Sequence, residues 1–201
     1  MIRYMSQLIE TIKLLDGRFN NLRYHEQRMA YSLKELYGAS EQINLLQFLD
    51  ALNYPRKGFY KSRLVYDHQI KEVEFIPYTS KPIFSLKLVV NDTILYDHKY
   101  SDRSSINQMI QKKDDCDDIL IVKNGWITDC SYANIVFKSG RKWYTPHTYL
   151  LKGTMRESLL DAGEIEELPI KVSDIKKFEK FKLINAMLGF EGVECDISNI
   201  L

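Results

Sequence analysis

Cysteine is scarce in this chain and follows no pattern: Cys116, Cys130 and Cys195 are odd in number, widely spaced, and show neither CxxC nor zinc-ligand spacing. That argues for a reducing, cytoplasmic setting and against both a disulfide framework and a structural metal. An excess of one charge is also missing. The 28 basic residues nearly match the 27 acidic ones, for a net charge of +1, and the Lys and Arg residues are dispersed. No basic field advertises nucleic acid as a partner. The longest acidic run, DDCDD at 114–118, reads as a solvated turn. Long apolar runs are lacking too: MIRYMSQLIETIKLL is interrupted by Arg3, Glu10 and Lys13, too often for a signal peptide or a membrane span. There is no internal repeat, and no GxSxG, HExxH, GxxxxGK[ST] or GxGxxG signature. His68 and His98 stand without a partner acid at a diagnostic spacing, and His147, after Tyr144-Thr145-Pro146, reads as a surface residue. What is there is a chain of 201 residues, enough for one large domain or two small ones with a proper core.

Taken in order, residues 4 to 23 read as a strand, a turn at Asp16-Gly17 and a return that launches a helix. In that helix Leu22, Met29, Leu33 and Leu36 recur at the helical period, and Gly38 closes it as a C-cap. His25 and Arg28, three apart, share one face. A second helix is expected over Gln42–Leu52. GFYKSRLVYD and IKEVEFIPY alternate at period two across His68-Gln69 and predict a hairpin. Arg63 in its first strand is either an outward charge or a residue that meets a substrate carboxylate. The pattern breaks at Lys81-Pro82, which sets domains of 1–82 and 83–201. After it come a strand, IFSLKLVV, then a further strand at ILYDHKY that runs into a helix with Ile106, Met109 and Ile110 turned inward.

The stretch from Gly125 to Arg156 carries the chemistry. Asn124-Gly125 and Ser139-Gly140 each mark a two-residue hairpin, so that two hairpins in tandem form a small antiparallel sheet. Asp129 lies between them in DCSYAN, among small and polar residues that leave room for a ligand. In LLKGTMRESLL, Gly153 permits close backbone approach, Thr154 can cap a helix, and Met155, Leu159 and Leu160 supply an inward stripe. Amide groups at such a helix start attract phosphate. An acid and an anion site 24 residues apart suit a ligand with a basic ring nitrogen at one end and a phosphate at the other.

GWITDCSYAN, a following TP and LLKGTMR together resemble the cofactor-binding core of the fold-type IV pyridoxal-phosphate enzymes. That family includes branched-chain and D-amino-acid aminotransferases and 4-amino-4-deoxychorismate lyases. ETIKLLDGRFNNLRYHEQR repeats its acid-threonine pair, Asp-Gly turn and NLxxHxxR motif, and KYSDRSSIN resembles the segment that follows its cofactor-bonding lysine. Lys99 precedes Asp129 by 30 positions, close to the family's separation between that lysine and the ring-nitrogen acid. The resemblance runs from Glu10 to LINAML at 183–188. It implies an α+β fold of two small domains, of the D-amino-acid aminotransferase-like type, with pyridoxal 5'-phosphate in the cleft between them. By the same resemblance Lys99 bonds the cofactor, Arg28 clamps its phosphate with Gly153, Thr154 and Met155, and Asp129 faces the ring nitrogen with Ser131 and Asn134 beside it. His25 packs and hydrogen-bonds locally, while Arg63, Arg103 and Asn185 are the substrate-side residues.

The chemistry implied is specific. A lysine that bonds a carbonyl must be deprotonated part of the time, so a cation or desolvation must lower its pKa, with Arg103 as the local cation. Asp129 keeps the ring nitrogen protonated, and the amine of Lys99 serves as proton shuttle. The sequence departs from the family in four places: nine residues precede Glu10 where about 20 are usual, Ile9 replaces an aromatic residue, Asp129 replaces glutamate, and Met155 replaces threonine. GTMR is closer to the lyases than to the transaminases. The expected activity is that of an aminodeoxychorismate lyase, releasing pyruvate and 4-aminobenzoate for folate synthesis. A branched-chain or D-amino-acid aminotransferase and a non-catalytic family member are the alternatives, and an intact Lys99 weighs against the last. A homodimer is expected, because relatives complete the pocket with a partner's loop.

Overall fold

A computed structural model describes residues 7–39 and 43–201, in two units: Met1–Ser80 with His98–Asp102, and Lys81–Asp97 with Arg103–Leu201. The start of the first expected strand and Gln42 of the expected second helix lie outside the described residues.

Unit 1 grows from an alternating strand. In β1 (Leu8–Leu15) Leu8, Glu10, Ile12 and Leu14 are buried while Ile9, Thr11 and Lys13 are only half-buried. Asp16 and Gly17, both at positive φ (47° and 77°), turn the chain into β2 (Arg18–Phe19), as Asp-Gly in a tight hairpin should. α1 (Leu22–Tyr37) follows and ends at Gly38, whose left-handed conformation (φ 66°) lets its N–H bond back to the last carbonyls. α2 is shorter than expected, Leu45–Asp50, and is capped by Asn44, whose side chain accepts from Gln47 N. β3 (Phe59–Tyr66) and β4 (Ile70–Pro77) form the expected hairpin, and the antiparallel sheet runs β2-β1-β3-β4. Leu8, Ile12, Leu64 and Tyr66 from the sheet pack with Met29 and Leu33 of α1 and Leu45 and Leu49 of α2.

In unit 2, β5 (Leu86–Val90), α3 (Ser104–Ile110) and β6 (Asp118–Lys123) make a crossover with β5 and β6 parallel. Ile106 and Met109 of α3 turn inward as predicted. β7 (Trp126–Cys130) returns antiparallel after Asn124 and Gly125, both at positive φ (52° and 79°). β8 (Asn134–Ser139) and β9 (Lys142–Pro146) form the second hairpin. α4 (Thr154–Asp161) then leads to β10 (Glu166–Leu168), parallel to β9. β11 (Lys180–Ile184) and β12 (Cys195–Asp196) complete a sheet of order β10-β9-β8-β11-β12. The core is Leu86, Leu120, Ile127, Ile135, Phe137 and Phe181.

The chain thus has the α+β fold expected from its sequence. Two local expectations are corrected. The tandem hairpins do not share a sheet: β7 closes the sheet β5-β6-β7 and β8 belongs to the five-stranded one. The chain changes sheets in a tight turn, where Cys130 N bonds Ala133 O at 2.9 Å, and Asp129 stands at that point. ILYDHKY forms no strand; it makes only a bridge of Tyr100 to Leu8, which places residues 98–102, read from the sequence as part of the second domain, in unit 1.

Candidate active site

Glu10 lies on the apolar face of β1 and is fully buried. An acid there needs partners, since an uncompensated buried charge costs several kcal/mol, on the order of 3–5. α1 supplies them from one turn: Arg28 donates through Nε to Oε1 (2.8 Å) and through Nη2 to Oε2 (2.6 Å), and His25 Nδ1 stands 2.6 Å from Oε2. Burial would raise the Glu10 pKa, but the charge of Arg28 and the bonds from His25 outweigh it and hold the carboxyl at about 2. His25 is pushed down, chiefly by burial. An ionised Glu10 only accepts, so neutral His25 carries its proton on Nδ1. The bond of His25 to Glu10 crosses 15 positions to β1.

Lys99 belongs to the same unit. Its carbonyl accepts from Ile9 N at 2.9 Å, and Tyr100 N bonds His98 O across it at 2.9 Å, so the residue sits in a tight turn tied to the edge of β1. His98, buried, is fastened on the preceding side: its Nδ1 lies 3.0 Å from Ser32 Oγ, and its ring stacks on Tyr31 and meets the edge of Tyr100. Lys99 is half-buried, and its charge acts on His25. The lysine and the arginine picked out in the sequence therefore lie in the same unit, Arg28 bonded to Glu10 and Lys99 on the turn tied to β1. Tyr66, fully buried and opposite Leu8, is held protonated by burial and the Glu10 charge.

Unit 2 carries a second buried acid. Asp129 Oδ1 accepts from Asn134 Nδ2 (2.7 Å), and Oδ2 accepts from Leu150 N and Leu151 N (both 2.9 Å). Burial raises its pKa to about 6 against the pull of those bonds and of the Arg156 charge. The space foreseen around this carboxylate is thus partly filled by the loop before α4. Asn134 also donates to Leu151 O (3.1 Å), and its Oδ1 lies over Gly153, where a Cβ would come within 1.8 Å. Gly153 is needed for that contact alone, since its φ of −73° suits any residue. It is also the N-cap of α4; Thr154, expected to cap, is instead the first helical residue and is buried, with no side chain capping the helix start. The buried residues of α4 are Thr154, Arg156 and Leu159, not the apolar stripe alone.

The remaining candidates are engaged elsewhere. Arg63 pairs across β3 and β4 with Glu74 (3.0 Å) and Glu72 (3.8 Å), the outward reading of its charge. Arg103 donates to Ser131 O at 2.5 Å, and Ser131 N bonds the buried Asp118 at 3.3 Å. Asn185 turns the chain, its Oδ1 accepting from Met187 N and Leu188 N (both 2.9 Å) and its Nδ2 reaching Tyr132 O (3.3 Å). The three cysteines are buried and free, no helix is long and apolar enough to cross a membrane, and no metal-binding cluster occurs among the described residues. The sequence marked Glu10 only as the acid of the acid-threonine pair and gave it no role in the site, although an acid at an inward position of an alternating strand is itself a signal. Arg156 carried no such mark: it is buried with bonds to Pro146 O, Glu157 and Glu167.

Comparison with known proteins shows the family and the fold. Residues 97–194 match the amino-transferase class IV family. An uncharacterized protein of Haemophilus influenzae is 39% identical over 187 residues, covering 92% of this chain and 100% of its own. A Haemophilus somnus 129pt protein, provisionally assigned as a 4-amino-4-deoxychorismate lyase, has a crystal structure similar at a TM-score of 0.87, with 34% identity over 94% of this chain and 100% of that one. A hypothetical aminotransferase of Mycobacterium tuberculosis, in its pyridoxal-phosphate-bound form, shares the fold at a TM-score of 0.72 with 15% identity, over 96% and 81% of the two chains. The chain belongs to the class IV aminotransferase family, the fold-type IV group of pyridoxal-phosphate enzymes.

Proposed function

We propose that this enzyme binds pyridoxal 5'-phosphate and acts as a lyase on 4-amino-4-deoxychorismate. The observation that carries the reading is the two-point grip of the buried Glu10 on Arg28, in the same unit that holds Lys99 on a turn fastened to β1. Each unit by itself offers residues that fit the group: unit 1 an amine on a fastened turn and a guanidinium, unit 2 a buried carboxylate. Arg28 would hold the phosphate by charge-assisted bonds. Asp129, with a pKa of about 6, is mostly ionised at pH 7 and so can hold a proton on a ring nitrogen. Asn134 holds the carboxylate by a hydrogen bond to Oδ1.

When bound, the cofactor supplies an electron sink for the pair released at the carbon bearing the substrate's amino group. Lys99 Nζ takes the proton from that carbon and returns one as the products separate. Pyruvate and 4-aminobenzoate together hold every atom of the substrate, so no acceptor is consumed. That balance separates the lyase from an aminotransferase, and the 34% identical lyase-assigned relative favours the former. In this reading Arg63, Arg103 and Asn185 are less suited to the substrate than the sequence suggested, because each is already engaged within its own unit.

The test is a visible spectrum of the purified protein with added pyridoxal phosphate, repeated with Lys99→Ala, followed by product analysis. We expect a long-wavelength band that borohydride removes and that the variant lacks, and pyruvate released without a keto-acid acceptor. Transfer of the amine only when an acceptor is present would replace the lyase by an aminotransferase. No band in the wild type would leave a binding role without catalysis.

A further inference from the structure

Arg156 is buried at a cost that stability does not explain. It is 1% exposed, in the first turn of α4, and its Nε finds no partner among the described residues. A buried N–H left unpaired is unfavourable, and apolar residues of similar size often replace a buried ion pair without loss. What the side chain reaches offers a better reason for it. Nη2 donates to Pro146 O at 3.1 Å and also bonds Glu167 of β10, and Nη1 bonds Glu157 at 2.9 Å. The guanidinium carbon stands 4.7 Å over the centre of the Tyr149 ring. Pro146 ends β9 and Arg156 lies in α4, so one side chain ties together the two ends of the intervening loop and stacks on its middle. That loop is the one that holds Asp129. Leu150 N and Leu151 N, directly after Tyr149, both donate to Asp129 Oδ2 at 2.9 Å. Thr148 Oγ1 fastens the loop's start to Ile127 O (2.6 Å), and Asn134 holds the Leu151 carbonyl (3.1 Å). Arg156 joins that start to the helix.

We propose that Arg156 is a positioning residue for Asp129: it clamps the loop between β9 and α4 so that the amides of Leu150 and Leu151 stay aimed at the carboxylate. The inference rests on the reading of Asp129 as the acid that faces the cofactor's ring nitrogen, and it gives Arg156 no contact with the cofactor. Two amide donors favour the charged form of a carboxylate, and so does the Arg156 charge itself. A released loop would push Asp129 up from about 6 toward its neutral form, which cannot hold a proton on a ring nitrogen. The other charges near this pair are Glu157, Glu167 and Lys152 on the Arg156 side, and Asp118, which with Asp129 acts on the Cys130 thiol. Substituting Arg156 leaves all of them in place. Lysine separates grip from charge, because an ammonium keeps the charge but has neither a planar fork nor a stacking face.

The experiment follows the full-length protein, Arg156→Lys and Arg156→Met by NMR before any cofactor is added. It reads hydrogen exchange at the Leu150 and Leu151 amides and the titration of the Asp129 side-chain carboxyl. In both variants exchange at the two amides should quicken about tenfold or more, the scale of one hydrogen bond to a charged group, while amides in the middle of β8 keep their protection. The acid constant of Asp129 should fall about threefold or more as those bonds weaken. Wild-type exchange and titration in Arg156→Lys overturn the inference in favour of charge alone. Unchanged exchange at the two amides in Arg156→Met overturns it as well, and equal acceleration in β8 overturns it by making Arg156 a support of the whole unit. If neither variant folds, Tyr149→Ala carries the test: losing the ring under the guanidinium should quicken the same two amides about threefold or more, and wild-type exchange there overturns the inference. Pyridoxal phosphate is then added to the wild type. A missing long-wavelength band rejects the cofactor reading and the purpose of the positioning with it, and this failure is told apart from the others because exchange and titration are read without the cofactor.

Discussion

Asn134 shows how much one side chain can organise. It ties Asp129 at the end of β7 to the Leu151 carbonyl in the loop before α4, and its own oxygen occupies the space a side chain at 153 would need. Gly153→Ala places a Cβ 1.8 Å from Asn134 Oδ1, although the backbone there is ordinary. The amide must leave, and Asp129 loses a buried donor. We expect a loss of about 2–3 kcal/mol, combining overpacking with a broken buried hydrogen bond. Denaturant unfolding of Gly153→Ala, Asn134→Ala and the double variant checks it. The second substitution should cost much less in the presence of the first, and additive losses would show that the contact is not the cause. In the sequence, Gly153 was legible as a close backbone approach, but nothing in the string said that Asn134 was the neighbour.

Among elements, the segment 98–101 is irregular yet fastened at several points. Its backbone bonds run from Ile9 N to Lys99 O (2.9 Å) and from Ser101 N to Gln7 O (2.8 Å), and His98 anchors it to α1 through Ser32. The periodic pattern of ILYDHKY suggested a strand, yet a turn at Lys99 won because the chain bonds only the end of β1 that β2 leaves open. His98→Ala should loosen this turn without unfolding unit 1. Hydrogen exchange at the amides of Ile9 and Ser101 should quicken by about tenfold or more, the scale of one buried hydrogen bond, while amides in the middle of β3 keep their protection. Equal acceleration at both places would mean that His98 supports the whole unit and not this turn.

Across the whole molecule two of the buried acids, Glu10 and Asp129, respond to pH in opposite senses. Glu10 lies at about 2 against an ordinary 4.5, so its contribution to stability is complete above pH 4.5 and is lost as pH falls through 2. His25, pushed below 6.5, adds a loss of the same sign as acid is added. Asp129, raised from 3.8 to about 6, stabilises most below pH 3.8 and loses that contribution as pH rises through 6. At about 1.4 kcal/mol per pH unit, the Glu10 part is on the order of 3 kcal/mol. Urea unfolding between pH 7 and pH 2.5 should therefore show a wild-type stability that falls steeply below pH 4.5, whereas Glu10→Gln, weaker at pH 7, should change much less over that range. Parallel curves for the two proteins would remove Glu10 from the account of acid unfolding. A homodimer, expected from the family, is a separate matter that sedimentation of the purified chain decides.

The sequence by itself determined the elements whose cause is local. The Asp16-Gly17 and Asn124-Gly125 turns follow from residues that accept positive φ, α1 from its apolar period and Gly38, and the β3–β4 hairpin from alternation. Motif order named Arg28, Lys99 and Asp129 as the residues to look at, because chemistry restricts residue type more strongly than position. Only the tertiary structure decided what those residues touch. The two-point grip of Glu10 on Arg28 spans 18 positions, the loop amides on Asp129 come from 21 and 22 positions away, and the hairpins part into two sheets at a four-residue turn. Each depends on burial that brings distant segments together and then obliges every enclosed charge and amide to find a partner. That obligation acts on the folded chain and leaves little trace in the order of its residues.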